Sequence, residues 1–75
     1  MNPHTVLFFG PLRDEFETKS MEIEMPENCS VDDVLNHLGV DRNLVKTAVN
    51  GEIVPTSTRL RVASEIALLP PVSGG

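Results

Sequence analysis

Between Met21 and Met25 the chain alternates, with Met21, Ile23 and Met25 apolar and Glu22 and Glu24 charged. A period of two predicts a strand with one face buried and the other in water. Upstream, Thr5-Val6-Leu7-Phe8-Phe9 is β-branched and aromatic and apolar on both parities, which predicts a central strand covered on at least one face. Gly10-Pro11 ends it. Met1 to His4 carry no pattern and read as a loose start. Leu12 and Phe16 stand four apart in an acidic stretch (Asp14, Glu15, Glu17), the spacing of one helical turn folded over the sheet edge.

The strongest local signal follows. Ser30 occupies an N-cap position, with Asp33 three residues on as a capping-box partner. Asp32 and Asp33 fall in the first turn, where the helix dipole favours negative charge. Val31, Val34, Leu35 and Leu38 form one apolar stripe, and Gly39 supplies a left-handed stop. So short a helix cannot stand alone and must lie on a sheet.

Leu44, Val45, Ala48 and Val49 lead into Asn50-Gly51, a strong hairpin-turn signal, and Ile53-Val54 return until Pro55. Thr56 to Arg61 is polar and turn-like, with Leu60 and Val62 expected to plug the core. Glu65 to Leu69 forms the last strand, closed by Pro70-Pro71. The expected architecture is α+β, one mixed sheet of four to five strands packed on one main helix. A folded domain spans 1–69 and an extended tail 70–75.

Composition narrows the function. Eleven acidic against six basic residues among 75 give a formal charge of −5. Neither nucleic acid nor an anionic membrane surface is an expected partner. One cysteine forms no internal disulfide. The longest clean apolar run, Val6 to Phe9, is shorter than a signal-peptide core of roughly 7–15 residues or a membrane span of about 20. A cytoplasmic chain is expected. Its single core supplies roughly 3–5 kcal/mol, so a deep, self-built active site is not expected and a partner should complete the chemistry.

Candidate chemical groups are few. His4 and His37 lack metal-ligand neighbours and are expected as surface histidines. Cys29 precedes the N-cap, where a side chain packs on the fourth helical residue, Val34, so a core role is favoured over a nucleophilic one. The pairs Asp14/Glu15 and Asp32/Asp33 read as solvated faces and helix-start charges. No cofactor-binding or metal-ligating residue is expected.

The tail differs. Pro70 and Pro71 steer the chain out of the ladder, and Pro70, Pro71, Val72, Ser73, Gly74 and Gly75 could reach up to roughly 20 Å. Two residues without Cβ make a strand end thin enough to thread a narrow channel, leaving the Gly75 carboxylate exposed and sterically bare.

Val6-Leu7-Phe8-Phe9-Gly10 with Arg13, then Ala48-Val49-Asn50, then Ile66 through Gly75 resemble the ubiquitin-like sulfur carriers. The Pro-Pro-Val-Ser preface to Gly-Gly is similar to the small subunit of molybdopterin synthase. The resemblance implies a β-grasp fold and a carrier that is not catalytic by itself. A ubiquitin-activating-enzyme-like adenylyltransferase would use ATP to activate the Gly75 carboxylate. A sulfur donor would convert it to a thiocarboxylate, and the large synthase subunit would receive the tail. Sulfur would pass to cyclic pyranopterin monophosphate in molybdenum cofactor biosynthesis. Gly74 and Gly75 would thread the partner's pocket, Pro70, Pro71, Val72 and Ser73 would line its mouth, and Leu69 and Arg13 would contact partners. Ala63-Ser64 departs from the Gly-Asp common in this family before the last strand, so that turn must avoid positive φ or change shape. Other readings stay open: a protein modifier, a carrier for thiazole synthesis or tRNA thiolation, or a passive interaction module.

Overall fold

The computed structural model describes residues 1–70. Five strands and two α-helices follow in the order β1 (Asn2–Phe8), α1 (Pro11–Phe16), β2 (Ser20–Met25), α2 (Val31–Leu38), β3 (Lys46–Val49), β4 (Glu52–Ile53) and β5 (Glu65–Leu69). A 3-10 turn at Arg42–Leu44 joins α2 to β3. The sheet order is β2-β1-β5-β3-β4, with β1 and β5 parallel at the centre and the other pairs antiparallel.

The two central strands are the ones whose apolar residues run together in sequence. Val6 stands opposite Ile66 and Phe8 opposite Leu68, all four fully or almost fully buried. Ile23 and Met25 of β2 extend this face, and Val31, Val34 and Leu35 of α2 complete the core against it. Each large apolar side chain so buried contributes about 1.5–3 kcal/mol. Phe16 of α1 stacks on Phe8 with ring centroids 4.4 Å apart, which pins the short helix to the end of the sheet.

The boundaries of α2 follow from its caps. Ser30 Oγ accepts from the Asp33 amide at 3.1 Å, while an Asp33 carboxylate oxygen accepts from the Ser30 amide at 2.9 Å, a complete capping box. Gly39 takes the left-handed conformation at φ 74° and ends the helix. Asn50 and Gly51, at φ 51° and 86°, form the expected tight turn between β3 and β4. The Asn50 side chain also accepts from the Glu65 amide at 3.0 Å, tying that turn to the first residue of β5.

Three expectations change. β1 begins at Asn2, so Met1 to His4 are not a loose start: Asn2, Pro3 and His4 pair with Met25, Glu24 and Ile23. β5 joins β1 only from Thr5 onward, so Pro3 has a single sheet neighbour, the setting in which a strand tolerates proline. His4 shares the parity of Val6 and Phe8 and is 2% exposed, a buried rather than a surface histidine. Val62 is not a core residue. Leu60 is buried in the core, its segment tied to the start of α2 by its amide donating to the Cys29 carbonyl at 2.8 Å, but the chain bends at Val62-Ala63 and leaves Val62 67% exposed. The Ala63-Ser64 turn keeps φ negative, and β5 starts at Glu65 as expected.

Candidate functional site: the root of the C-terminal tail

β5 is held on both edges, by β1 and by β3, so its last residues leave the middle strand of the sheet. Leu68 is fully buried against the helix-bearing face. Leu69, opposite Lys46, is half-buried on the other face, and Pro70 is exposed. Pro70 does not hang free. It lies over Gly10, the residue between β1 and α1, so closely that a Cβ on Gly10 would stand 3.3 Å from the proline Cγ. Gly10 adopts φ 60° and ψ −138°, a region reserved in practice for glycine. The turn ending β1 and the root of the tail are therefore packed as one unit.

Arg13 is exposed on α1, and its amide donates to the Gly10 carbonyl at 3.1 Å, so the sequence-expected cation is carried by the turn that Pro70 touches. Pro71, Val72, Ser73, Gly74 and Gly75 lie outside the described residues. Leu69, Pro70 and Arg13 thus gather at one end of the sheet.

The face of the sheet not covered by α2 adds what sequence patterning missed. Register places Leu7, Ala67 and Ala48 side by side across β1, β5 and β3, with Ile53 of β4 beside Ala48 and Leu69 next along β5. Ile53 is 60% exposed. This apolar strip runs to the root of the tail. Its sequence signal was that the β1 and β5 runs are apolar on both parities, which demands cover for the second face as well.

The remaining candidates are structural. Cys29 is buried in the core, and its thiol is pushed up by loss of solvent and then by the Asp33 carboxylate, which keeps it protonated and unreactive. His4 accepts from the Ser64 amide through Nδ1 at 3.1 Å, so Nε2 carries the proton, and that N–H is buried without a partner. Burial lowers the His4 pKa. His37 is exposed. Among the described residues no group of three or more His, Cys, Asp or Glu is arranged to hold a metal, and no helix is long and apolar enough to cross a membrane.

The ThiS family model matches residues 6–75, all but the first five residues. This chain belongs to the ThiS family. Solved structures carry the same β-grasp, ubiquitin-like fold as this ThiS-family chain. One is a candidate molybdopterin converting factor, subunit 1, from Pyrococcus furiosus, with 24% identity, coverage of 96% of this chain and 100% of that one, and a TM-score of 0.83. Another is small archaeal modifier protein SAMP1 from Haloferax volcanii, with 21% identity, 99% and 100% coverage, and a TM-score of 0.82. A third is the complex of subunits 1 and 2 of the molybdopterin-converting factor from Helicobacter pylori, with 26% identity, 97% and 99% coverage, and a TM-score of 0.65. No curated protein matches the sequence.

Proposed function

We propose that this ThiS-family chain is the sulfur-carrier subunit of a molybdopterin synthase, with residues 1–69 as a folded handle and 70–75 as its working tail. The observation that carries the reading is the exit of β5 at Pro70 over Gly10, followed in sequence by Pro-Val-Ser-Gly-Gly. In this reading a carboxylate oxygen of Gly75 attacks the α-phosphorus of ATP in the adenylating partner, and pyrophosphate leaves. A sulfur nucleophile then attacks the acyl carbon and AMP departs, leaving a thiocarboxylate. Splitting one hard substitution into two is what makes an unreactive carboxylate usable. The thiocarboxylate sulfur bonds to cyclic pyranopterin monophosphate in the large subunit, water cleaves the acyl carbon–sulfur bond and returns the Gly75 carboxylate, and two such rounds complete the dithiolene.

The residues suit these steps. Gly74 and Gly75 add no bulk around the acyl carbon, and binding energy from the folded handle positions a tail with little of its own to grip. Leu69, at the end of the apolar strip, and Arg13, beside the tail root, serve as body contacts for the large subunit. The complex of subunits 1 and 2 of the Helicobacter pylori factor supports such a partner.

Intact mass spectrometry after incubation with the adenylating enzyme, ATP and sulfide tests the carrier. One oxygen replaced by sulfur at Gly75 is expected, and an unchanged mass with a competent activator sinks the reading. A second reading, a ubiquitin-like modifier, is favoured by the likeness to SAMP1. It predicts an isopeptide between Gly75 and target lysines, and no molybdopterin formation when the chain is reconstituted with the large subunit.

A further inference from the structure

A groove of about 530 Å³ opens beside Pro70 on the helix-bearing side of the sheet, away from the Leu7–Leu69 strip. Leu12 and Phe16 of α1 form one wall, and Leu38, Val40 and Leu44 form the other. Leu44 is 63% exposed at the rim, a large apolar side chain left mostly in water. The two charged residues lining the groove are both acidic, Glu15 and Asp41. The neighbouring Arg42 is turned to Asp32 at 3.4 Å, the one ion pair among the described residues, and does not line it.

We propose that this groove is a recognition site for the adenylating enzyme, receiving an apolar side chain of that enzyme flanked by lysine or arginine. The inference rests on the reading of the tail as that enzyme's substrate. Before activation Gly75 offers only a carboxylate, which every protein C-terminus offers, and Gly74 and Gly75 have no side chains to read. Selection of this chain must therefore come from its body. Pro71 to Gly75 span at most about 18 Å, and Pro70 itself forms part of the groove. An enzyme holding the Gly75 acyl end at its ATP site therefore stands within that reach of the groove. The acidic rim dictates the sign of the charge it presents.

ATP–pyrophosphate exchange by the adenylating enzyme of the same organism, driven by the full-length chain, tests the site. Leu44→Asp and Glu15→Lys alter exposed side chains and leave the fold, checked by circular dichroism, intact. Each is expected to raise the KM for the carrier about tenfold with kcat unchanged. Glu27→Lys makes the same charge change at the opposite end of the sheet and keeps the KM of the parent chain. Parent-like KM for both groove variants overturns the site while leaving the tail reading standing. A lowered KM for Leu44→Asp overturns it in favour of the groove holding the chain's own tail. Absence of exchange with the parent chain overturns the tail reading and the groove with it.

Discussion

Gly10 and Pro70 are sixty residues apart in sequence and packed together in the fold, so closely that a Cβ on Gly10 would meet Pro70 Cγ at 3.3 Å and one of them would have to give by a few tenths of an ångström. The first residue of the proposed working tail is thereby referenced to the turn that closes β1. A tail with no side chains at its end gains a defined starting direction from this contact. The parallel β1–β5 pair, which ends at Phe8 and Leu68, brings the two residues together.

Gly10→Ala should therefore act twice. The positive φ costs about 1–3 kcal/mol in strain, and the added Cβ displaces Pro70. Urea unfolding should show that loss, and pyrophosphate exchange should fall even at temperatures where the variant is fully folded. Gly51→Ala is the matched comparison: its φ is 86°, but nothing lies within 4 Å of the new Cβ. It should lose about 1–2 kcal/mol and keep parent-like exchange.

His4 makes stability depend on pH. Its folded-state pKa lies below the ordinary 6.5, because burial disfavours the imidazolium. Protonation would also require Nδ1 to give up the Ser64 amide hydrogen bond. With the folded pKa depressed, the unfolded chain binds more protons, so stability is complete above about pH 6.5 and declines as pH falls from there toward the folded pKa. Urea midpoints measured from pH 7.5 to 5 should show this slope. His4→Gln, which retains an acceptor for Ser64, should flatten it, with the same replacement at exposed His37 as the control.

What the sequence made legible tracks what was encoded locally. The α2 caps are set by Ser30, Asp33 and Gly39 within ten residues of one another, and the β3–β4 turn by Asn50-Gly51, so both were readable. β5 was readable because its apolar run is bounded by Ser64 and Pro70. Asn2 to His4 were not, since their polar and proline side chains carry no β signal and only pairing with β2 makes them a strand. The apolar strip on the open sheet face escaped for a related reason: Leu7, Ala67, Ala48 and Ile53 become neighbours only through register. The groove beside Pro70 likewise needs α1, the end of α2 and the 3-10 turn brought together in space.

Cys29 should be silent in the sulfur chemistry. Its burial and the nearby Asp33 carboxylate both raise the thiol pKa, so at neutral pH the thiolate needed for sulfur exchange is scarce and shielded. Ellman's reagent should react slowly with the native protein and rapidly in denaturant. Cys29→Ala, a small loss from the core, should be sulfurated at Gly75 as efficiently as the parent chain.

Leu69 and Arg13 should separate packing from charge in binding the large subunit. Leu69 sits where the apolar strip of the open face meets the tail, so a partner that threads the tail must desolvate it. Leu69→Ser removes that contact at the centre of the footprint, where truncation commonly costs more than 1 kcal/mol, about tenfold in Kd at 1.4 kcal/mol, mostly through faster dissociation. Arg13 is exposed on α1, so Arg13→Glu should chiefly slow association, with an effect that fades as salt is raised. Calorimetry and stopped-flow association with the large subunit at two salt concentrations would measure both. A Leu69→Ser variant that binds like the parent chain would place the body contact elsewhere, and Ile53→Ser, at the far end of the strip, then decides whether the open sheet face is used at all.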